Sequence, residues 1–132
     1  MKFLNQGAAS ATGATTTKAR GDRAEDEALA YLQARGLRLL ERNYRTPGRG
    51  GGEIDLSLRE PDGTVVFVEV RQRSRSDFGG AAASISALKR RRIILAAQHY
   101  LLRWRRLPPA RFDVVAIDPA GVQWLQAAFT AD

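Results

Sequence analysis

The sequence predicts a single α/β domain in which a mixed central sheet is flanked by helices. The chain has 132 residues, which corresponds to one domain with at most a tail. Amphipathic helical segments alternate with short apolar strands. Two neighbouring strands read as a hairpin, which pairs them antiparallel, and a helix intervenes before the next strand. The expected order of elements is therefore αβββαββ.

Residues 1–20 are expected to form a disordered tail and residues 21–132 the folded domain. Every residue from 7 to 17 is Gly, Ala, Ser or Thr, a composition that buries little and is typical of flexible linkers. Phe3 and Leu4 are too short an apolar stretch for a signal peptide, and no run of eighteen apolar residues occurs. We therefore expect a cytoplasmic protein with no membrane contact.

The first part of the domain reads as a helix, a strand and a loop. Helical periodicity begins at Asp22, and Gly36 ends the helix. Residues 37–44 form a predicted strand. The glycine-rich residues 47–52 form a loop that lacks the lysine and the following helix of a P-loop. We interpret this loop as either a flap beside a substrate or a plain linker.

The next three segments form a predicted β-hairpin. Residues 53–59 alternate strictly, with Ile54, Leu56 and Leu58 on one face and Glu53, Asp55 and Ser57 on the other. A turn occupies residues 60–63. Residues 64–71 form a nearly continuous apolar strand, which predicts cover on both faces of the sheet.

A long helix and two further strands complete the prediction. The helix spans residue 84 to about residue 105 and is apolar almost all round near its middle, with a basic cluster near its start. Strands are predicted at residues 112–117 and 122–125, joined by a turn at residues 118–121.

The charge distribution points to a polyanionic partner. Basic residues outnumber acids by 21 to 14, a net charge of +7, and 18 of the 21 are arginines, whose planar fork suits phosphate. Between residues 71 and 106 ten basic residues stand against one acid, a balance of +9. We expect a polyanionic partner that presents phosphate groups; a solvated arginine-rich surface is the alternative. The candidate phosphate-binding residues are Arg73, Lys89, Arg90, Arg91 and Arg92.

The composition excludes several classes of hydrolase. The chain contains no cysteine, which removes thiol nucleophiles and cysteine zinc sites. His99 is its only histidine, which removes three-histidine zinc sites and most Ser-His-Asp hydrolases. Any hydrolytic chemistry must therefore use carboxylates, cations and a hard metal ion with oxygen ligands.

The hairpin places two carboxylates opposite one another. With its turn centred on Asp62, opposed residue numbers sum to 124, so Asp55 faces Glu69 and Glu53 faces Arg71. Facing carboxylates destabilise a sheet, and Mg²⁺ or Mn²⁺ would convert the repulsion into coordination. In the structural alternative, Asp55 faces water and Glu69 pairs with Arg71. A carboxylate inside an apolar strand is nevertheless costly unless it is paired or metal-bound.

The first helix supplies a third acid. On a helical wheel, Glu25 lies within the apolar arc that includes Ala24 and Leu32, whereas Asp26 and Glu27 point away. Glu25 is therefore the acid of this helix expected to face the sheet, either at a metal site or as a satisfied structural glutamate.

The motifs together resemble a nuclease core. The runs Gly52-Glu53-Ile54-Asp55-Leu56 and Phe67-Val68-Glu69-Val70-Arg71-Gln72-Arg73 resemble the core of the PD-(D/E)XK nucleases. With residues 43–45, 78–79 and 89–93, the chain resembles the YraN family of small bacterial proteins over about residues 21–129. The resemblance implies a restriction-endonuclease-like fold and a metal site at Asp55 and Glu69, with Glu25 beside it.

One position departs from this motif. Arg71 stands where the superfamily has a lysine, and arginine stays protonated and has no lone pair to activate water. Arg71 could instead hold the scissile phosphate or stabilise charge in the transition state, which leaves activation of water to the metal.

These observations lead to three hypotheses. The first is a Mg²⁺- or Mn²⁺-dependent nuclease acting on DNA, branched or damaged DNA included. Its catalytic residues are Glu25, Asp55 and Glu69, which hold the metal, and Arg71, which contacts the phosphate. The second is a non-catalytic nucleic-acid-binding module that retains the nuclease fold. The third, a protein-interaction scaffold, leaves the +9 segment without a role. A two-fold homodimer would suit an enzyme that cuts both strands or a junction.

Overall fold

The structure is a computed structural model that describes residues 17–73 and 85–131. Its elements follow the predicted order. They are α1 (Thr17–Gln33), β1 (Arg38–Arg45), β2 (Glu53–Arg59), β3 (Val65–Gln72), α2 (Ala87–Leu101), β4 (Ala110–Asp118) and β5 (Gly121–Phe129).

The five strands form one mixed sheet in the spatial order β1-β2-β3-β4-β5. The pairs β1–β2, β2–β3 and β4–β5 are antiparallel, and β3 and β4 are parallel. The parallel pair is the one whose connection contains α2, as required when a chain must cross back over the sheet. The mixed α/β fold predicted from the sequence is confirmed.

The two helices contribute to separate hydrophobic cores. Ala24, Ala28 and Leu32 of α1 pack with Leu56 and Val66. On the other side, α2 contributes Ile93, Ala96 and Tyr100 to a core that also contains Phe67 and Val114. Strand β3 alternates between the two cores, which is why five successive residues from Val65 to Glu69 are buried.

The predicted hairpin register is confirmed where the strands pair. Leu56 lies opposite Val68 and Arg59 opposite Val65, so opposed numbers sum to 124. The turn closes with the Gly63 amide donating to the Glu60 carbonyl at 2.9 Å. Beyond Leu56 and Val68 the ladder of paired residues stops, immediately before Asp55 on β2 and Glu69 on β3.

Strict alternation along β2 is wrong at Ile54. Leu56 and Leu58 belong to the α1 core, but Ile54 belongs to the α2 core with Tyr44, its partner on β1. The neighbouring strand changes at the same place, since Asn43 of β1 has a left-handed backbone (φ 56°) that interrupts the alternation of β1. Ser57, expected on a polar face, is fully buried.

Several boundaries differ from the predicted ones. Helix α1 begins at Thr17 rather than Asp22, so residues 17–20 of the predicted tail are helical, whereas residues 1–16 lie outside the described parts of the chain. Ser86 caps α2, its hydroxyl accepting from the Lys89 amide at 3.1 Å, and the helix ends at Leu101 rather than near residue 105. The helix start predicted at residue 84 falls in the undescribed segment 74–84.

Strand β5 continues four residues beyond its predicted end at residue 125. The buried carboxylate of Asp113 accepts from the Ala127 amide at 2.9 Å, and a register shift between Phe112 and Val114 accommodates this contact. The pairing therefore resumes after a bulge and ends with Phe129 opposite Phe112. No described helix is both long enough and apolar enough to cross a membrane.

Candidate active site

The four predicted catalytic residues line one cavity of about 360 Å³, which we call the carboxylate cavity. Its described lining residues are Gly21, Ala24, Glu25, Asp55, Glu69, Val70, Arg71, Gln72 and Lys89. It lies where β2 and β3 separate, under the first turns of α1 and beside the start of α2. The strands thus supply a carboxylate pair and the helices a third acid and an amine.

Asp55 and Glu69 form the acidic pair of the cavity. Glu69 is 4% exposed, and one oxygen of Asp55 accepts the Val70 amide at 2.8 Å. The pKa of Asp55 is raised to about 7, first because the group is buried and second because Glu69 is negatively charged beside it. The two carboxylates therefore resist being ionised together.

Two cations contact the buried carboxylate. Lys89 Nζ is 3.4 Å and Arg71 Nη1 is 3.8 Å from Glu69 Oε2. The Glu69–Arg71 pairing of the structural alternative is thus present. Asp55, however, does not simply face water, because it also lies against Glu69.

Glu25 reaches the cavity, as the helical wheel predicts, but its carboxylate is shared with another partner. Arg42 Nη2 lies 3.3 Å from Glu25 Oε1 and Arg42 Nη1 2.7 Å from Asp26. The pKa of Glu25 is raised, mainly by burial and then by the charge of Asp55, although hydrogen bonds from Arg42 and Asn43 act in the opposite direction. Glu25 is therefore near the acidic pair while already bound to an arginine.

The carboxylates of the cavity fit part of a ligand set for a metal ion. Among the described residues, no group of three or more His, Asp or Glu side chains is arranged to hold a metal. Mg²⁺, however, commonly uses only one or two protein carboxylates and completes its shell with water and phosphate oxygens. Asp55 and Glu69 fit that pattern, because their mutual repulsion is what a divalent cation would relieve. Glu25 would have to release Arg42 to join them.

The predicted phosphate-binding residues are divided between surfaces. Lys89 lines the carboxylate cavity, and Arg92 lines a second cavity next to the glycine-rich loop. Arg90 and Arg91 border a groove between α2 and the end of β5, and Arg73 follows β3. Since 89 and 92 are three residues apart they share a helical face, whereas 90 and 91 turn away from it.

Sequence reasoning placed Lys89 in a general basic cluster and missed its contact with Glu69. Its identity was the available signal, since it is the single lysine in a run of arginines. Asn43 was also missed as a residue that shapes the site. Asparagine is enriched in left-handed backbone, so its place inside a predicted strand was a detectable irregularity.

Comparison with known sequences identifies the family. A protein of Paracidovorax citrulli is 69% identical over 117 residues, covering 89% of this chain and 87% of that protein. One from Acidovorax sp. (strain JS42) is 60% identical over 131 residues, covering 99% of each. Both are named only as UPF0102 proteins. Residues 24–117 match the sequence profile described as "Uncharacterised protein family UPF0102", and the chain therefore belongs to this family, in agreement with the resemblance to the YraN family.

Proposed function

We propose that the protein is a metal-dependent nuclease that hydrolyses phosphodiester bonds in DNA. The observation that carries the proposal is the pair of buried Glu69 and half-buried Asp55, which meets Arg71 and Lys89 at one cavity. A hydrolase that cuts a phosphodiester needs a ligand set for a cation and positive charge for the phosphate. Two carboxylates that could bind a cation and two positively charged side chains meet here, on a strongly basic chain.

The chain's own residues would divide the work. Asp55 and Glu69 would bind Mg²⁺ or Mn²⁺, and Glu25 would stand behind them. A bound divalent ion supplies a water of lowered pKa as nucleophile. Arg71 would hold the scissile phosphate through its fork, a role that fits a side chain that stays protonated.

Lys89 supplies the compact positive charge that Arg71 cannot. It is the one amine among the described residues that line the carboxylate cavity. Its side chain is 47% exposed, so it can turn toward a bound phosphate as well as toward Glu69. We assign it the stabilisation of negative charge on the phosphate oxygens as the P–O bond breaks.

The proposal is tested by cleavage of labelled duplex, single-stranded and four-way-junction DNA with EDTA, Mg²⁺ or Mn²⁺. The parent should cut at least one substrate in the presence of metal, and Asp55→Asn should cut none while retaining DNA affinity. Glu41→Gln is the matched control, since Glu41 is an exposed β1 carboxylate paired with Arg103, outside the carboxylate cavity. Loss of cleavage in both Asp55→Asn and Glu41→Gln would show that the effect is not specific to the carboxylate cavity.

If the parent cuts no substrate yet binds DNA, the non-catalytic binding module replaces the nuclease. That alternative has one observation in its favour, which is the arginine at the motif's lysine position. Under either reading we propose DNA as the partner and the cytoplasm as the location. A two-fold homodimer is proposed only for double-strand or junction cleavage, and sedimentation of the protein with and without DNA would test it.

A further inference from the structure

A second cavity, of about 370 Å³, lies between the glycine-rich loop and α2. We call it the glycine-loop cavity. Its described lining includes Arg45, Thr46, Glu53, Lys89 and Arg92, together with glycines of residues 48–52. It adjoins the carboxylate cavity, because Lys89 lines both and because Glu53 is two residues before Asp55 on β2.

The loop is closed and fixed against the helix. The Thr46 amide donates to the Gly52 carbonyl at 3.1 Å, and the Gly52 amide donates to the Thr46 hydroxyl at 2.8 Å. A Cβ at Gly52 would lie 1.8 Å from the carbonyl oxygen of Arg92. Only glycine allows the loop to approach α2 this closely, so one wall of the cavity consists of loop backbone packed directly against helix backbone.

The charges that line the cavity favour an anion. Three cations, Arg45, Lys89 and Arg92, stand against one acid, Glu53. Arg45 is 3.4 Å from Glu53, and the Lys89 ammonium contacts Glu69 in the neighbouring cavity. The Arg92 guanidinium makes no hydrogen bond or ion pair with the part of the chain that the structure describes, and this side chain is exposed. Its guanidinium therefore has donors available for a ligand.

We propose that the glycine-loop cavity binds a backbone phosphate of the nucleic acid strand next to the phosphate held at the carboxylate cavity. This inference rests on the proposed function and adds one phosphate contact between the protein and its nucleic acid substrate. Arg92 provides the main contact and Arg45 the second. A phosphodiester linkage suits the site because a fork of arginine donors reads phosphate oxygens without reading base identity.

The test measures DNA binding in EDTA, where no cleavage can occur, by fluorescence anisotropy across a series of salt concentrations. Arg92→Gln removes one phosphate contact, so the slope of log K against log salt should become shallower by about 0.9 on duplex DNA. Between 50 and 200 mM salt the change in affinity should then be smaller by roughly 3.5-fold. The matched control is Arg106→Gln, which removes an exposed arginine beyond the end of α2. It should leave the slope unchanged.

A second measurement locates the phosphate. A single neutral methylphosphonate is moved along a duplex only as long as the bound site, so that the protein binds in one register, and one linkage should weaken binding of the parent without further weakening Arg92→Gln. Arg91→Gln, on the opposite side of α2, should add its effect to that of the same linkage. Oligonucleotides with and without a 5′-terminal phosphate distinguish an internal linkage from a strand end, and we expect the internal linkage.

The outcomes separate this inference from the proposed function. If Arg92→Gln and Arg106→Gln change the slope equally, or no linkage couples to Arg92, the phosphate pocket is wrong even where Asp55-dependent cleavage is observed. If one linkage couples to Arg92 but no DNA is cut, the pocket stands and the nuclease proposal fails. Coupling confined to a terminal phosphate would overturn the internal-linkage assignment.

Discussion

Asp55 is held where an ionised carboxylate is unfavourable. Its neighbours on β3 are the Val70 amide, which favours the charge, and Glu69, which opposes it. Burial adds to the opposition, and the result is a pKa near 7 instead of 3.8. Ionisation of Asp55 therefore destabilises the folded chain, and binding of a cation or a proton relieves this destabilisation.

The first prediction concerns stability against pH. Between about pH 4 and 7 the folded chain retains a proton on Asp55 that the unfolded chain has lost, so the free energy of unfolding falls as the pH rises through this range. Asp55→Asn keeps an acceptor for the Val70 amide and removes the charge. In EDTA it should melt at a higher temperature than the parent above pH 7 and at the same temperature near pH 4.

Asp62→Asn is a control of opposite sign. Asp62 accepts from the Thr64 amide at 2.9 Å, and its pKa is lowered mainly by that hydrogen bond. This group contributes stability above its unfolded pKa and loses it in acid, so the variant should lose stability at neutral pH. If Asp55→Asn behaves like Asp62→Asn, the carboxylate at residue 55 is structural.

The second prediction concerns Lys89. If its charge stabilises the reacting phosphate, Lys89→Gln should lower the single-turnover rate of cleavage by about 10²-fold. Lys89→Arg keeps the positive charge and should recover the rate to within about tenfold of the parent. A Lys89→Arg protein as slow as Lys89→Gln would contradict a role based on charge. Arg106→Gln, which removes the same charge from an exposed residue beyond the end of α2, serves as the control.

Among the elements, the β4–β5 pair depends on a buried acid. Asp113 is fully buried and accepts from Arg111 Nε at 3.0 and 3.1 Å, from the Trp124 indole at 2.9 Å and from the Ala127 amide. Arg111 also pairs with Glu60 at the hairpin turn. One carboxylate thus joins β4, the bulged end of β5 and the β2–β3 turn.

The third prediction follows from this network. Asp113→Ala leaves a partly buried arginine, the Trp124 indole and the Ala127 amide without their shared acceptor, so it should lower the free energy of unfolding by about 3 kcal/mol in urea titrations. Asp26→Ala removes an exposed partner of Arg42 and should lower the free energy of unfolding by less than about 1 kcal/mol. A similar small loss for Asp113→Ala would show that the network is dispensable.

The elements also show what the sequence could predict. The bounds of β2 and the register of its hairpin follow from alternation and from a turn with Gly63 at φ 96°, because local patterns determine them. The end of β5 does not, since a buried aspartate on another strand extends it. The start of α1 was hidden because a composition of Gly, Thr, Ala and Lys has no apolar period to detect.

The candidate site was predictable to the same extent. The position of the turn predicted that Asp55 and Glu69 lie close together, and the helical wheel predicted that Glu25 lies beside them. All three line the carboxylate cavity. Two contacts depend on tertiary structure that no local pattern reports. One is the ion pair between Lys89 of α2 and Glu69, and the other is the ion pair between Arg42 and Glu25.

At the scale of the whole molecule, two cations of α2 lie at the two adjoining cavities. Its Lys89 and Arg92 line the two adjoining cavities, and the chain carries a net charge of +7. Binding driven by phosphate contacts releases counterions and is therefore sensitive to salt and tolerant of sequence.

The fourth prediction is a steep salt dependence for DNA binding by the parent protein. With about 4 to 6 phosphate contacts, log K against log salt should have a slope of about −3.5 to −5.5 on duplex DNA, for unrelated sequences alike. Reversing the charges of Arg90 and Arg91 should make the slope shallower if these residues also bind phosphate. A flat response in the parent would favour the protein-interaction scaffold.

The most direct test of the central claim is a calorimetric titration of Mn²⁺ into metal-free protein at pH 8, which lies above the pKa of about 7 of Asp55. The parent should bind one Mn²⁺ per chain at the Asp55–Glu69 pair, and Asp55→Asn should bind it at least tenfold more weakly because a charged ligand is lost. Glu41→Gln should titrate like the parent. No Mn²⁺ binding by the parent, or equal affinity in the parent and Asp55→Asn, would contradict a metal centre at this pair.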